Sequence, residues 1–319
     1  MILLRRLLTM LTLALLLAGC DRAPTPPPTP PTPPGPADAL TRLMQDLRRS
    51  DLAGYARHAV PPALHARLET AWRDGRTIWP LTELPLEDRI APMITALAAP
   101  GAQRQLTTTF KQQFSGAGRE LRSASSTLGM FAGQYVASAE EYSEEERDHY
   151  MQMIAAFTQW GQHAPLDDGK RANAALPRLI GAARGTGLAG PDAFAQAGMD
   201  KALGRLGPFF RTAKDVLRSY DLDLDAALDS VDATVAEQTG DTARLRVRYT
   251  LAGRSIDAYV RAERRDGQWY LTDLLRHAEA EAAAGTTPPP TSAGGSGKAQ
   301  APRSAASPDP VGAGPSAPR

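Results

Sequence analysis

Few residues in this chain have the type and spacing that chemistry needs. Glu146 and His149 lie three positions apart, so a helix would set a carboxylate and an imidazole on one face, as helical di-iron sites require. Such a site needs a second copy of the pair on a facing helix, and the sequence has none. Ser143 and Glu146 read instead as a capping box, with Glu144 and Glu145 suited to the positive end of a helix dipole.

Asp221, Asp223, Asp225, Asp229 and Asp232 match the acidic positions of a calcium loop. The tight-turn position holds Ala226 rather than glycine, and the final position holds Asp232 rather than the longer glutamate. Alternating Leu222, Leu224 and Leu228 instead suit a chain entering a sheet. Gly185-Thr186-Gly187-Leu188-Ala189-Gly190 has the glycine spacing of a phosphate cradle, but that device needs a strand before it. Leu176 to Arg184 reads as helix, so the glycines are expected to form a connection. His58, His65, His163 and His277 stand apart, and no nucleophile, base and acid can be grouped from spacing. Trp72, Trp79, Trp160 and Trp269 read as core anchors. No catalytic, cofactor-binding or metal residue is assigned.

Cys20 is the chain's single cysteine, which excludes intrachain disulfides and Cys-based zinc sites. Arg5 and Arg6 precede an apolar run from Leu7 to Leu17, and Leu17-Ala18-Gly19-Cys20 follows. Spanning a bilayer takes roughly 20 apolar residues, so the run is too short for a stable transmembrane helix. The segment resembles a bacterial lipoprotein signal, in which the thiol accepts a diacylglyceryl group. The resemblance implies cleavage before Cys20 and a membrane anchor through lipid on that residue. One acyl chain anchors only marginally, while two or three hold firmly. The implied place is the envelope of a Gram-negative bacterium, facing the periplasm. Asp21 resembles the inner-membrane retention signal of enteric lipoproteins, although Arg22 is not its usual companion.

The elements that would position any site divide the 319 residues into a signal (1–19), a lipidated cysteine with a proline-rich linker (20–36), a helical region (37–220), a sheet region (221–282) and a tail (283–319). The linker favours a polyproline II spacer, and at about 3.1 Å per residue it would reach roughly 50 Å. The tail, rich in Pro, Ala, Gly and Ser, cannot offset the entropy of ordering and is expected to be disordered. With 36 Lys and Arg against 35 Asp and Glu, the net charge of +1 gives no general attraction to nucleic acid.

In the helical region Leu40, Leu43, Met44 and Leu47 give a first helix ending near Ser50, and Pro61-Pro62 opens a second through Trp72. Further helices are expected over 86–99, 102–114, 117–137, 143–162, 172–184 and 191–219, the last kinked at Gly207-Pro208. After Leu228 the period becomes two. Strands are expected over 231–238, 243–251, 255–265 and 268–275, with Arg244, Arg246 and Arg248 facing water and Asp266-Gly267 turning a hairpin. The fold class is therefore α+β, a mainly helical region followed by a four-stranded antiparallel meander.

Gly240-Asp241-Thr242-Ala243 and Asp266-Gly267-Gln268-Trp269-Tyr270-Leu271 resemble the last hairpins of the nuclear transport factor 2-like superfamily. Ser50-Asp51-Leu52-Ala53-Gly54-Tyr55 resembles the opening of the same fold. That likeness implies a cone-shaped core with residues 75–220 as a helical insertion, and it implies no reaction. The expected role is a tethered, non-enzymatic module binding an envelope protein, an envelope polymer or a small apolar ligand. The rival is an envelope hydrolase or other enzyme assembled only by folding.

Overall fold

The computed structural model describes residues 34–84 and 87–284. The signal, Cys20, Asp21 and nearly all of the linker lie outside the described residues, as does the tail from 285.

The chain begins with helix α1 (Pro36–Arg49), where a proline fits the first turn and Asp38 accepts the Gly35 N–H at 2.7 Å. The helix thus starts one residue inside the expected linker. Leu40 and Leu43 are buried along its inner face, and Ser50 ends it in the left-handed region at φ 60°. Asp51 accepts the Gly54 N–H at 2.8 Å and so opens α2 (Leu52–Ala59), with α3 (Pro62–Arg73) behind Pro61. Two short 3₁₀ turns, Leu81–Glu83 and Glu87–Arg89, lead into α4 (Ile90–Ala98), which is shorter than expected because its start is spent in the turns. Then follow α5 (Ala102–Gln113), α6 (Gly118–Ser138) and α7 (Glu144–His163).

Helix α8 (Gly169–Thr186) begins earlier than the periodicity suggests. Asp168 supplies the cap, accepting Lys170 N–H at 2.7 Å and Arg171 N–H at 3.1 Å. The single helix expected over 191–219 is two, α9 (Ala193–Ala197) and α10 (Met199–Ser219), because Gly198 between them has φ 76°. Pro208 sits inside α10. Gly207 beside it is obligatory: a Cβ there would lie 2.6 Å from the Ser50 carbonyl oxygen. That close approach lets Lys214 reach the end of α1, where its ammonium donates to the carbonyls of Leu47 at 3.0 Å and Arg48 at 2.9 Å. A cation thus satisfies the orphan carbonyls of a helix end. After the short α11 (Leu224–Asp229) the sheet begins.

Strands β1 (Asp232–Thr239), β2 (Thr242–Leu251), β3 (Arg254–Arg265) and β4 (Gln268–Leu271) form an antiparallel meander in sequential order. Ala252-Gly253 and Asp266-Gly267 turn the second and third hairpins with positive φ at both positions, the backbone that matches strand twist. Ala243, Leu245 and Val247 are buried on one face, with Leu40 of α1 packed against them. Arg246 and Arg248 face solvent on the other, as expected, while Arg244 is half-buried. Further along, Leu251 and Ile256 pack with Ala156 of α7 and Leu222.

The fourth strand stops at Leu271, four residues short of the expectation. Helix α12 (Thr272–Ala283) replaces the rest and the first residue of the expected tail. Leu275, Ala278 and Ala282 recur at helical spacing and are buried in the same cluster as Leu68, Trp72 and Phe194. The sheet region therefore returns a helix to the helical core. Trp72 is fully buried there, its indole N–H donating to the Phe194 carbonyl at 2.8 Å. Among the described residues no helix is long and apolar enough to cross a membrane.

Candidate functional site

The pairings that spacing suggested do not become shared sites. Glu146 closes the capping box as expected, accepting the Ser143 N–H at 2.8 Å while its own N–H donates to Ser143 Oγ at 3.2 Å. His149 turns to the sheet, where its Nε2 is 2.8 Å from the Tyr249 hydroxyl, and burial lowers its pKa. Two residues on one helix therefore serve two different neighbours. The aspartate run is dispersed in the same way. Asp223 caps α11 and pairs with Arg218 at 2.9 Å. Asp225 meets Lys214 at 2.5 Å, Asp229 meets Arg48 at 2.9 Å, and Asp232 meets Arg248 at 2.5 Å. Each carboxylate faces a cation of the protein, and among the described residues no group of His, Cys, Asp or Glu is placed to hold a metal. Gly185 to Gly190 finish α8 and connect it onward, with Gly187 in the left-handed region.

Of the histidines, His58 pairs with Asp46 at 2.6 Å, and His163 contacts the Gln159 carbonyl at 2.8 Å on the surface. His65 Nε2 stands 3.5 Å from Asp200 without a hydrogen bond. Trp79 is fully buried like Trp72, while Trp160 and Trp269 are half-buried.

His277 is the histidine that the fold places in a constellation. Helix α12 carries it between the 3₁₀ turn and the start of α7, with Glu83 2.9 Å from Nδ1 and Glu146 3.3 Å from Nε2. Arg276 grips the other Glu146 oxygen at 2.6 Å, and Trp79 donates its indole N–H to Glu83 at 3.1 Å. The hydrogen bond to Glu83 raises the His277 pKa against the opposing effect of burial, so the imidazolium is favoured. The edge of Tyr142 meets the imidazole at 6.3 Å, and burial with nearby acids holds that phenol up at about 12. Burial first, and then Glu146 and Glu83, push Tyr150 higher still. Next to this group Asp273 accepts from Arg261 at 2.9 Å and from Ser143 Oγ at 3.2 Å. The cluster joins three elements through charge. Glu83 lies 194 residues from His277, so spacing along the chain carries no trace of the contact.

A second feature lies on the α6–α7 hairpin. Ser125, Gly129 and Gly133 recur every fourth residue on the face of α6 toward α7, and their small size lets the helices close. A Cβ on Gly129 would lie 2.1 Å from Thr158 Oγ1, and one on Gly161 would lie 2.7 Å from Ser125 Oγ. The large apolar side chains of α6 stand elsewhere and face solvent: Leu128 is 68% exposed, Met130 64%, Phe131 60% and Tyr135 59%. Leu128, Phe131 and Tyr135 follow a helical stripe that begins at exposed Ala124. Apolar spacing gives a helix over 117–137 and does not tell a covered stripe from an open one. The small-residue ridge was the signal, because it had already claimed the packing face.

No known protein family matches the chain, and neither does any curated protein or solved structure, so nothing in these comparisons places it with the nuclear transport factor 2-like superfamily.

Proposed function

We propose that this chain is a lipid-anchored envelope protein that works as an interaction module, binding a partner protein through the exposed apolar face of α6. The observation that carries the reading is the stripe of Leu128, Phe131 and Tyr135, each more than half exposed on one face of a well-formed helix. Scattered apolar residues need no explanation, but a contiguous stripe on a helix costs solubility and marks a surface meant to be covered. Amphipathic helix faces are a recurring mode of protein recognition. The Cys20 anchor, carried by the sequence of the signal, would tether the module to the membrane through the linker.

The test is site-specific photocrosslinking in intact cells of the native host. A crosslinker at Phe131 should give a discrete adduct that Leu128→Glu abolishes, while one at exposed Glu279 should give none. Loss of the reading follows if Phe131 and Glu279 give the same pattern, or if Leu128→Glu leaves the adduct unchanged.

A further inference from the structure

A depression of about 570 Å³ opens between α5 and the end of α8, lined by Gly101, Gln103, Arg104, Thr107, Thr108, Lys111 and Arg184. Its lining holds three cations and no carboxylate, in a chain whose charges otherwise nearly cancel. Arg104, Thr107, Thr108 and Lys111 recur at three- and four-residue spacing, so one face of α5 presents them together.

Elsewhere in the fold some arginines meet carboxylates, as in Arg48 with Asp229, Arg246 with Asp257 and Arg276 with Glu146, while exposed Arg42, Arg67, Arg119, Arg122 and Arg205 have no ion pair among the described residues; what sets this lining apart is three cations gathered with no carboxylate beside them. Neither Arg104, Lys111 nor Arg184 forms an ion pair among the described residues. Arg184 is nonetheless held in place: its Nε donates to the Ala98 carbonyl at 3.2 Å and one terminal nitrogen to Ala99 at 3.1 Å. Its other terminal nitrogen keeps its donors. The hydroxyls of the lining are unspent too, as are those of helical Thr127 and Thr158. Thr41, Thr70, Thr95 and Thr212 bond the carbonyl four residues back in their helices, whereas Thr107 and Thr108 have no such partner among the described residues.

We infer that this depression binds a phosphate-bearing ligand, either a lipid headgroup or a soluble phosphate compound. Unpaired guanidinium and ammonium groups beside free hydroxyl donors are what a phosphate's several acceptor oxygens require, and charge-assisted bonds to them are the strong ones. The inference stands independently of the α6 reading, since it uses other residues.

The experiment uses the full chain carrying Cys20→Ser, so that no acyl chain contributes. It measures binding of inorganic phosphate by calorimetry, and binding of mixed phosphatidylglycerol–phosphatidylcholine vesicles by sedimentation at low salt. The paired variants are Arg104→Gln with Lys111→Gln in the depression, and Arg119→Gln with Arg122→Gln outside it. All four positions are exposed, so folding is retained and checked by circular dichroism. The expected result is that the first pair weakens binding roughly tenfold while the second leaves it near the original value. Binding of phosphate alone assigns a soluble ligand, and binding of the anionic vesicles alone assigns a headgroup. Equal weakening by both pairs, equal binding to pure phosphatidylcholine, or no binding of either probe overturns the inference.

Discussion

The side chain of Gln152 pairs with the backbone of Asp257 as a strand would. Its amide donates to the Asp257 carbonyl at 2.9 Å and accepts the Asp257 N–H at 3.0 Å. Strand β4 pairs with β3 only from Ala262 to Arg265, so the earlier part of β3 is left without a neighbour on that side. Helix α7 covers this edge, and Gln152 answers the hydrogen-bonding groups that an unpaired strand exposes. Gln152→Ala should cost about 1 kcal/mol and speed hydrogen exchange at the Asp257 amide. Unchanged exchange there would mean that the side chain merely lies alongside the strand.

The His277 latch should make stability depend on pH in a defined direction. Because the folded-state pKa is raised, the contribution is fully present below the unfolded value near 6.5 and is lost as pH rises through the folded value. Melting temperature measured from pH 6 upward should therefore fall more steeply in the wild type than in His277→Gln. Parallel curves would show that the imidazole does not titrate against Glu83 and Glu146.

Lys214 is 2% exposed and holds two α1 carbonyls together with Asp225. Lys214→Met keeps much of the volume but strips those partners of their cation, with an expected loss of about 3 kcal/mol in chemical denaturation. A loss below about 1 kcal/mol would show that Arg218 and Arg48, which also reach Asp225, take over its role.

The α6–α7 contact leaves no room at Gly129. Gly129→Leu should destabilise by about 1–3 kcal/mol through overpacking against Thr158. Leu128→Ser, on the exposed face, should change stability by less than about 0.5 kcal/mol. Equal effects of the two would contradict the assignment of packing and free faces.

Cys20→Ser should release the protein from the membrane fraction or leave it unprocessed, with the far-ultraviolet circular dichroism of the body unchanged. Identical fractionation and migration of variant and wild type would remove the anchor.

Local rules carried the sequence a long way. The period of apolar residues placed α1, the helices from α3 to α7 and all four strand positions, because amphipathic spacing is a local consequence of which face is buried, while the eight-residue α2 (Leu52–Ala59) is too short to show such a period. Ser143 with Glu146 and Asp266 with Gly267 marked a cap and a hairpin for the same reason, since both partners lie within a turn of chain. Where a local signal was present but outweighed, the reading slipped. Leu275, Ala278 and Ala282 have helical spacing, yet the preceding strand pattern was carried past Leu271; Gly198 breaks what looked like one long helix.

What only the tertiary structure decided is which side chains meet across long stretches of chain, and which apolar stripe stays uncovered. His277 finds Glu83 and Glu146, Gln152 finds the edge of β3, and Arg184 reaches the face of α5 because packing brings together helices that spacing cannot relate. The stripe on α6 is open because the small residues Gly129 and Gly133 give α7 the closer approach. Periodicity reports that a face is apolar; the identity of its neighbour, or of water, is settled by three-dimensional packing alone.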